Sequence, residues 1–113
     1  MEQYFRNDEL RCKCCGALTI DAVFRMRLNL ARHLAGFPFI VTSGYRCWKH
    51  NIDVGSTSSN HTSGQAADIK CLDPFDRFFM VQAMFKAEML GIGINKEFIH
   101  CDINRSRKAL WTY

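Results

Sequence analysis

An α+β domain is the fold this sequence predicts, and three observations carry it. Residues 19–36 space their apolar side chains as a helix does, and a second such stretch opens at Asp73 and Pro74 and runs to Gly91. Four short β-favouring segments are interleaved with them. The order helix, strand, long loop, strand, helix, strand, strand makes a small antiparallel sheet with the helices packed on one face.

Each element has its own reason. Thr19 is the expected cap of the first helix, whose apolar positions Ile20, Val23, Phe24, Leu28, Ala31 and Leu34 follow helical spacing, with Gly36 as its stop. The run "FPFIVTSG" (residues 37–44) reads as a buried strand because Ile40, Val41 and Thr42 favour extended backbone. Residues 45–64 show polar and turn-forming types without a period, so a long loop is expected, and a loop of that length in a small domain is commonly functional. "AADIKC" is a short strand. In the second helix Asp73 caps and Pro74 takes the first position, while Phe75, Phe78, Phe79, Val81, Phe85 and Met89 are expected in the core. "IGI" and "EFIHCDI" form the last two strands, joined by a turn at Asn95 and Lys96.

With 113 residues the chain fits a single domain, residues 1–113, large enough to bury a core without metal or disulfides. Its 48% hydrophobic and 12% aromatic content excludes a disordered chain. No apolar run approaches a membrane span, so no membrane insertion is expected. "MEQYFRNDEL" lacks the basic and apolar regions of a signal peptide, which places synthesis in the cytoplasm. A formal charge of +4 is mild, and apart from "NRSRK" the Lys and Arg residues are scattered. That pattern fits a solvated surface, with no nucleic-acid partner expected and a monomer as the expected state.

Six cysteines are many for this length, three of them in "RCKCCG" (Cys12, Cys14, Cys15) and one in "YRC" (Cys47). The spacing C-x-C-C lacks paired CxxC knuckles, so reduced thiols, a disulfide to Cys47 and a second metal site stay open.

Four histidines are present. His33 near the end of the first helix is expected to be structural or exposed, and His50 lies in the long loop without a clear role. His61 is followed at seven positions by Asp68, and His100 sits in "EFIHCD" between Glu97 and Asp102. Two imidazoles and one carboxylate, His61, Asp68 and His100, are a donor set that zinc accepts in catalytic sites, leaving a fourth position for water.

The run "SGYRC" with "HN", then "SSNHTSGQAADI", "GIGI" and "FIHCD" together resemble the zinc D-Ala-D-Ala carboxypeptidase family. That family includes D,D-carboxypeptidases, D,D-dipeptidases and phage L-alanyl-D-glutamate endopeptidases, and shares its fold with the hedgehog signalling domain. Its pattern S-x-H-x-x-G-x-A-x-D is matched by Ser59, His61, Gly64, Ala66 and Asp68, and a later H-x-D by His100 and Asp102. "SGYR" is matched at residues 43–46, so the resemblance covers about residues 38–111.

The resemblance implies one zinc (Zn2+) per chain, held by His61, Asp68 and His100. Gly64 and Ala66 are then small because the backbone turns tightly from loop to strand beneath two ligands. Arg46 matches the family arginine that stabilises the developing oxyanion. Glu97 matches an E-x-x-H placement and is the expected base, although strand alternation puts Phe98, His100 and Asp102 on one face and Glu97 on the other. That parity makes Asp102 the zinc's neighbour, as base or as the group that orients a histidine. Ser59 is a weaker candidate for bonding site or substrate, and Trp111 and Tyr113 are expected to close the core or line the cleft.

The expected activity is a zinc peptidase acting on the stem peptide of bacterial peptidoglycan, as carboxypeptidase or endopeptidase. A lone domain of this kind looks like a phage or prophage lysis enzyme, reaching the wall after release from the cytoplasm or as a virion component. Two other readings compete: a non-catalytic zinc-containing wall-binding module of the same fold, and a small metal- or nucleic-acid-binding protein organised around "CKCCG".

Overall fold

The computed structural model describes residues 1–56 and 58–113. Its elements are α1 (Asn7–Leu10), α2 (Ala22–Ala35), β1 (Val41–Ser43), α3 (Trp48–Asp53), β2 (Ala66–Lys70), α4 (Pro74–Lys86), β3 (Gly91–Ile94), β4 (Phe98–Asp102) and β5 (Ala109–Thr112). The strands form one sheet in the order β1-β2-β4-β3-β5. Neighbours are antiparallel except β3 and β5, which run parallel, so the expected antiparallel sheet is in fact mixed.

Strand alternation divides the sheet into two chemically different faces. Ala67 and Ile69 of β2, Ile92 of β3, and Ile99 and Cys101 of β4 point into one core with Phe24, Leu28 and Ala31 of α2 and Met80, Ala83 and Met84 of α4. The helices therefore cover one face, as expected. The residues between them, Ala66 and Asp68, Gly91 and Gly93, His100 and Asp102, belong to the opposite face. Phe24 is fully buried, and truncating it to Ala would remove about 3–5 kcal/mol.

Several sequence expectations need correction. The cap of α2 is Asp21, whose carboxylate accepts the Phe24 N–H at 2.9 Å, and not Thr19. Gly36 ends the helix in the left-handed conformation, as expected. Only Val41–Ser43 of the segment 37–44 pairs as a strand, since Pro38 has no N–H to donate and the register shifts between Val41 and Ser43. The loop expected at 45–64 contains α3, and Thr57 within it lies outside the described residues. The helix α4 stops at Lys86 and not at Gly91, the chain reversing through Ala87 and through Glu88 at φ 65°.

The largest error concerns the face of α4. Phe75, Phe78, Phe79 and Phe85 are exposed and Val81 is half-buried, while Met89, beyond the helix, is buried. The buried stripe is Met80, Ala83, Met84 and, just past the helix, Ala87, which also recurs at helical spacing. This helix is apolar on more than one side, and the stripe with two alanines faces α2 because small side chains let two helix axes approach closely.

The N-terminal segment is tied down although no element was expected there. Asn29, buried in α2, accepts the Tyr4 N–H at 2.8 Å and donates to the Glu2 carbonyl at 2.8 Å. Further on, the Leu10 carbonyl accepts the Tyr45 N–H at 2.9 Å. A side chain on Gly44 would meet that same carbonyl at 2.7 Å, so glycine allows the two segments to lie against each other.

Candidate metal centre

The site is one transverse row of the sheet. Ser43 pairs with Asp68, Asp68 with His100, His100 with Gly93, and Gly93 with Trp111. Cross-strand pairing therefore sets Asp68 beside His100 without help from any loop. His61 is brought in by the turn before β2, where Gly64 adopts φ +73° and leaves no room for a Cβ against the Thr19 carbonyl.

The three side chains converge. Asp68 Oδ1 lies 3.0 Å from His100 Nδ1 and 3.5 Å from His61 Nε2, and the ring centres are 5.4 Å apart. One donor atom from each of His61, Asp68 and His100 falls within 4.8 Å of the others. Both histidines are buried.

The remaining ring nitrogens reveal which atoms face inward. His61 Nδ1 sits 2.8 Å from the Gly44 carbonyl, which can only accept, so Nδ1 donates there and Nε2 is turned to Asp68. His100 Nε2 donates to Asp102 Oδ2 at 2.7 Å, leaving Nδ1 turned to Asp68. Tying the outer nitrogen of a histidine to a carbonyl or carboxylate is how proteins orient imidazole ligands. Two oriented imidazoles and one carboxylate thus fit a zinc ion, with no fourth protein donor in the set.

Asp102 is itself fully engaged. It is completely buried, accepts two hydrogen bonds from Arg105 at 2.8 and 2.6 Å, and accepts a third from Asn60 Nδ2 at 3.2 Å. Burial works to raise its carboxyl pKa, but the Arg105 and His100 hydrogen bonds override it and bring it to about 2. Asp68 follows the same logic: burial opposes its charge, yet hydrogen bonds from His100 and His61 hold it well below the ordinary carboxylate range. For His100, burial alone would lower the ring pKa, and the carboxylates of Asp102 and Asp68 raise it.

The glycines of "GIGI" are explained by this face. A Cβ on Gly93 would meet the Trp111 indole at 2.6 Å, and one on Gly91 would meet Asp102 and Arg105. Their absence lets Trp111 lie 5.4 Å from the His100 ring and lets the Arg105 guanidinium stack over Trp111 at 4.6 Å.

A cleft of about 140 Å³ opens over the row, lined by Arg46, Asn60, His61, Asp68, His100, Trp111 and Tyr113 among others. Two larger hollows, beside α2 and along α4, bring no such group of donors together among the described residues. Arg46 is half-buried and its Nε has no hydrogen-bond partner among the described residues. Burial lowers its pKa and the nearby Asp68 charge opposes that.

Of the expected site residues, the structure gathers His61, Asp68, His100, Asp102 and Arg46. Glu97 is not gathered: it is exposed ahead of β4, does not line the cleft, and its side chain makes no hydrogen bond among the described residues. Ser59 is also outside, its hydroxyl accepting from Asn104 at 3.3 Å. Asn60, Arg105 and the cleft walls Trp111 and Tyr113 complete the site. His33 is exposed and bonded to Tyr4, as expected of a structural histidine. Asn51 is buried and donates to the Ser58 carbonyl at 2.9 Å, pinning the loop that leads to His61.

A helix-backed sheet that presents imidazole, carboxylate and imidazole to a small polar cleft is built like a metallopeptidase centre. The family comparison reaches the same class independently: the Peptidase M15 family model matches residues 3–102, and the chain belongs to that family. A search among curated proteins finds no match.

Proposed function

We propose that this chain is a zinc-dependent peptidase of the bacterial cell wall, cutting a peptide bond in the peptidoglycan stem peptide as a D,D-carboxypeptidase or an endopeptidase. The observation that carries the reading is the pair of anchored imidazoles flanking Asp68 at the floor of a cleft that also holds Arg46. Zinc at these three groups would supply Lewis acidity and a water that ionises near neutral pH.

The chain's own residues do the rest. Gly44 and Asp102 keep the His61 and His100 rings aimed inward, so the donor atoms need little reorganisation. Arg46, whose buried Nε has no partner among the described residues, donates to the substrate oxygen that gains charge during attack. Trp111 and Tyr113 wall the cleft. Asp102 cannot accept a proton without weakening its bonds to Arg105, which leaves it as the group that positions His100. Glu97 remains the proposed general base, because its carboxylate makes no hydrogen bond among the described residues and it stands three residues before His100. Action on the wall after release from the cytoplasm, or within a virion, would fit a phage or prophage lysis role.

The exposed position of Glu97 favours one second reading, a zinc-containing wall-recognition module that does not hydrolyse its ligand. Release of new amino groups from purified peptidoglycan separates the two. Glu97→Gln should abolish release while keeping zinc; undiminished release would remove Glu97 as the base. Zinc binding without hydrolysis of several wall types by the wild-type chain would establish the recognition module.

A further inference from the structure

A second cluster of metal-binding side chains gathers where the N-terminal turn meets the end of the "SGYRC" loop. Cys12 and Cys14 come from the N-terminal turn, which the Gly16 N–H closes onto the Cys12 carbonyl at 2.9 Å. Cys47 caps α3, and His50 follows it by one helical turn. The sulfurs of Cys12, Cys14 and Cys47 all lie within 4.8 Å of one another. Cys14 and Cys47 are separated by 3.9 Å, and His50 Nδ1 lies 3.6 Å from Cys12 Sγ.

These spacings have a chemical meaning. A tetrahedral zinc with Zn–S near 2.3 Å and Zn–N near 2.0 Å has sulfur–sulfur edges of about 3.8 Å and sulfur–nitrogen edges of about 3.5 Å. The backbone is also arranged for thiolates: the Cys47 N–H points at Cys12 Sγ at 3.4 Å, and the His50 N–H at Cys47 Sγ at 3.4 Å. Such N–H groups stabilise negative sulfur. Three thiolates, a neutral imidazole and a zinc ion sum to one negative charge, and Arg11, Lys13, Arg46 and Lys49 flank the ligands in sequence.

We propose that Cys12, Cys14, Cys47 and His50 Nδ1 form a second, Cys3His zinc site, distinct from the His61, Asp68 and His100 centre. Four protein ligands close the coordination sphere, so the ion is structural. Zinc displaces any remaining thiol protons to solvent as it binds, with no change of oxidation state. The site staples the N-terminal turn to residues 44–50. That same loop carries the Gly44 carbonyl that orients His61, and its Arg46 N–H donates to the His61 carbonyl at 3.2 Å. The cysteine site therefore supports the loop on which the sheet-borne centre leans.

The test is elemental analysis of the full-length chain beside the near-ultraviolet absorption of its cobalt-substituted form, in wild type, His61→Ala, Cys14→Ser, His50→Ala and Cys15→Ser. Cys14 is exposed, so serine there disturbs no packing. The expected result is two zinc ions per wild-type chain, one in His61→Ala and one in Cys14→Ser. The thiolate-to-cobalt charge-transfer band should persist in His61→Ala and be lost in Cys14→Ser. A single zinc that His61→Ala removes, with no charge-transfer band in any form, would overturn the proposal; so would a Cys14–Cys47 disulfide in the zinc-loaded protein purified without reductant. A single zinc that His61→Ala keeps and Cys14→Ser loses would support this site and count against the sheet centre instead. Retention in His50→Ala with loss in Cys15→Ser would overturn the histidine assignment.

Discussion

The two centres are made from opposite materials. At the sheet centre, Asp68 and His100 are neighbours because β2 and β4 pair in one register, and hydrogen bonds to Gly44 and Asp102 orient both rings. At the cysteine cluster the donors come from a turn and the start of a six-residue helix, held by N–H···S contacts and by one another. The first geometry is imposed by a folded sheet before any ion arrives. The second is closed by the ion it would hold. Catalysis suits the former, because a preorganised set can leave a coordination position open; a clamp suits the latter.

Substitutions can break that contrast or sharpen it. The largest effect is expected from His61→Ala, which should reduce the proposed peptidoglycan hydrolysis to the uncatalysed background while the proposed cysteine site keeps its zinc, read by activity and elemental analysis on one preparation. Arg46→Ala should come next, lowering kcat by about 10²–10³-fold with zinc content unchanged, as for loss of an oxyanion donor. Asp102→Asn should weaken zinc affinity or activity by about 10–100-fold, because it disturbs the orientation of His100 together with the Arg105 and Asn60 bonds that hold the carboxylate; competition with a chelator measures it. Cys14→Ser should lower Tm by about 5 °C, the equivalent of roughly 1 kcal/mol in a domain of this size, while kcat stays near wild type. Phe78→Ser, far from both centres on the exposed face of α4, should change stability by less than about 0.5 kcal/mol and sets the baseline. A large loss at Phe78, or a collapse of kcat in Cys14→Ser at full zinc occupancy of the sheet centre, would erase the distinction drawn here.

The candidate ligands His61 and Asp68 were legible through the family resemblance, because the motif that carries it, His61, Gly64, Ala66 and Asp68, lies within eight residues and such local spacing survives in one dimension. Asp102 was legible as a neighbour of the site through strand parity, but its role was not. The choice between base and positioning group depends on Arg105 and Asn60, and neither carries a signal beyond lying close to Asp102 or His61 in the chain. Trp111 and Tyr113 reach the cleft through a parallel pairing of β5 with β3 that nothing in "ALWTY" announces. The helix α4 shows the opposite failure. Its aromatic residues formed a plausible stripe, but a helix apolar on several sides leaves the choice of face to its packing partner, here α2. The helix α3 was missed because "WKHNID" has no apolar period, and its residues serve a capping thiol, a cluster histidine and a buried asparagine in place of a core.

The strand β4 alternates core and site without interruption: Ile99 and Cys101 inward, His100 and Asp102 toward the cleft. Insertion or deletion of one residue there would exchange the two sets, driving an imidazole and a carboxylate into the helix-covered core and presenting Ile99 and Cys101 to the cleft. Length changes of this strand are therefore tolerable in pairs at most. Over evolutionary time β4 should behave as a ruler marked in steps of two, whatever happens to the loops at its ends.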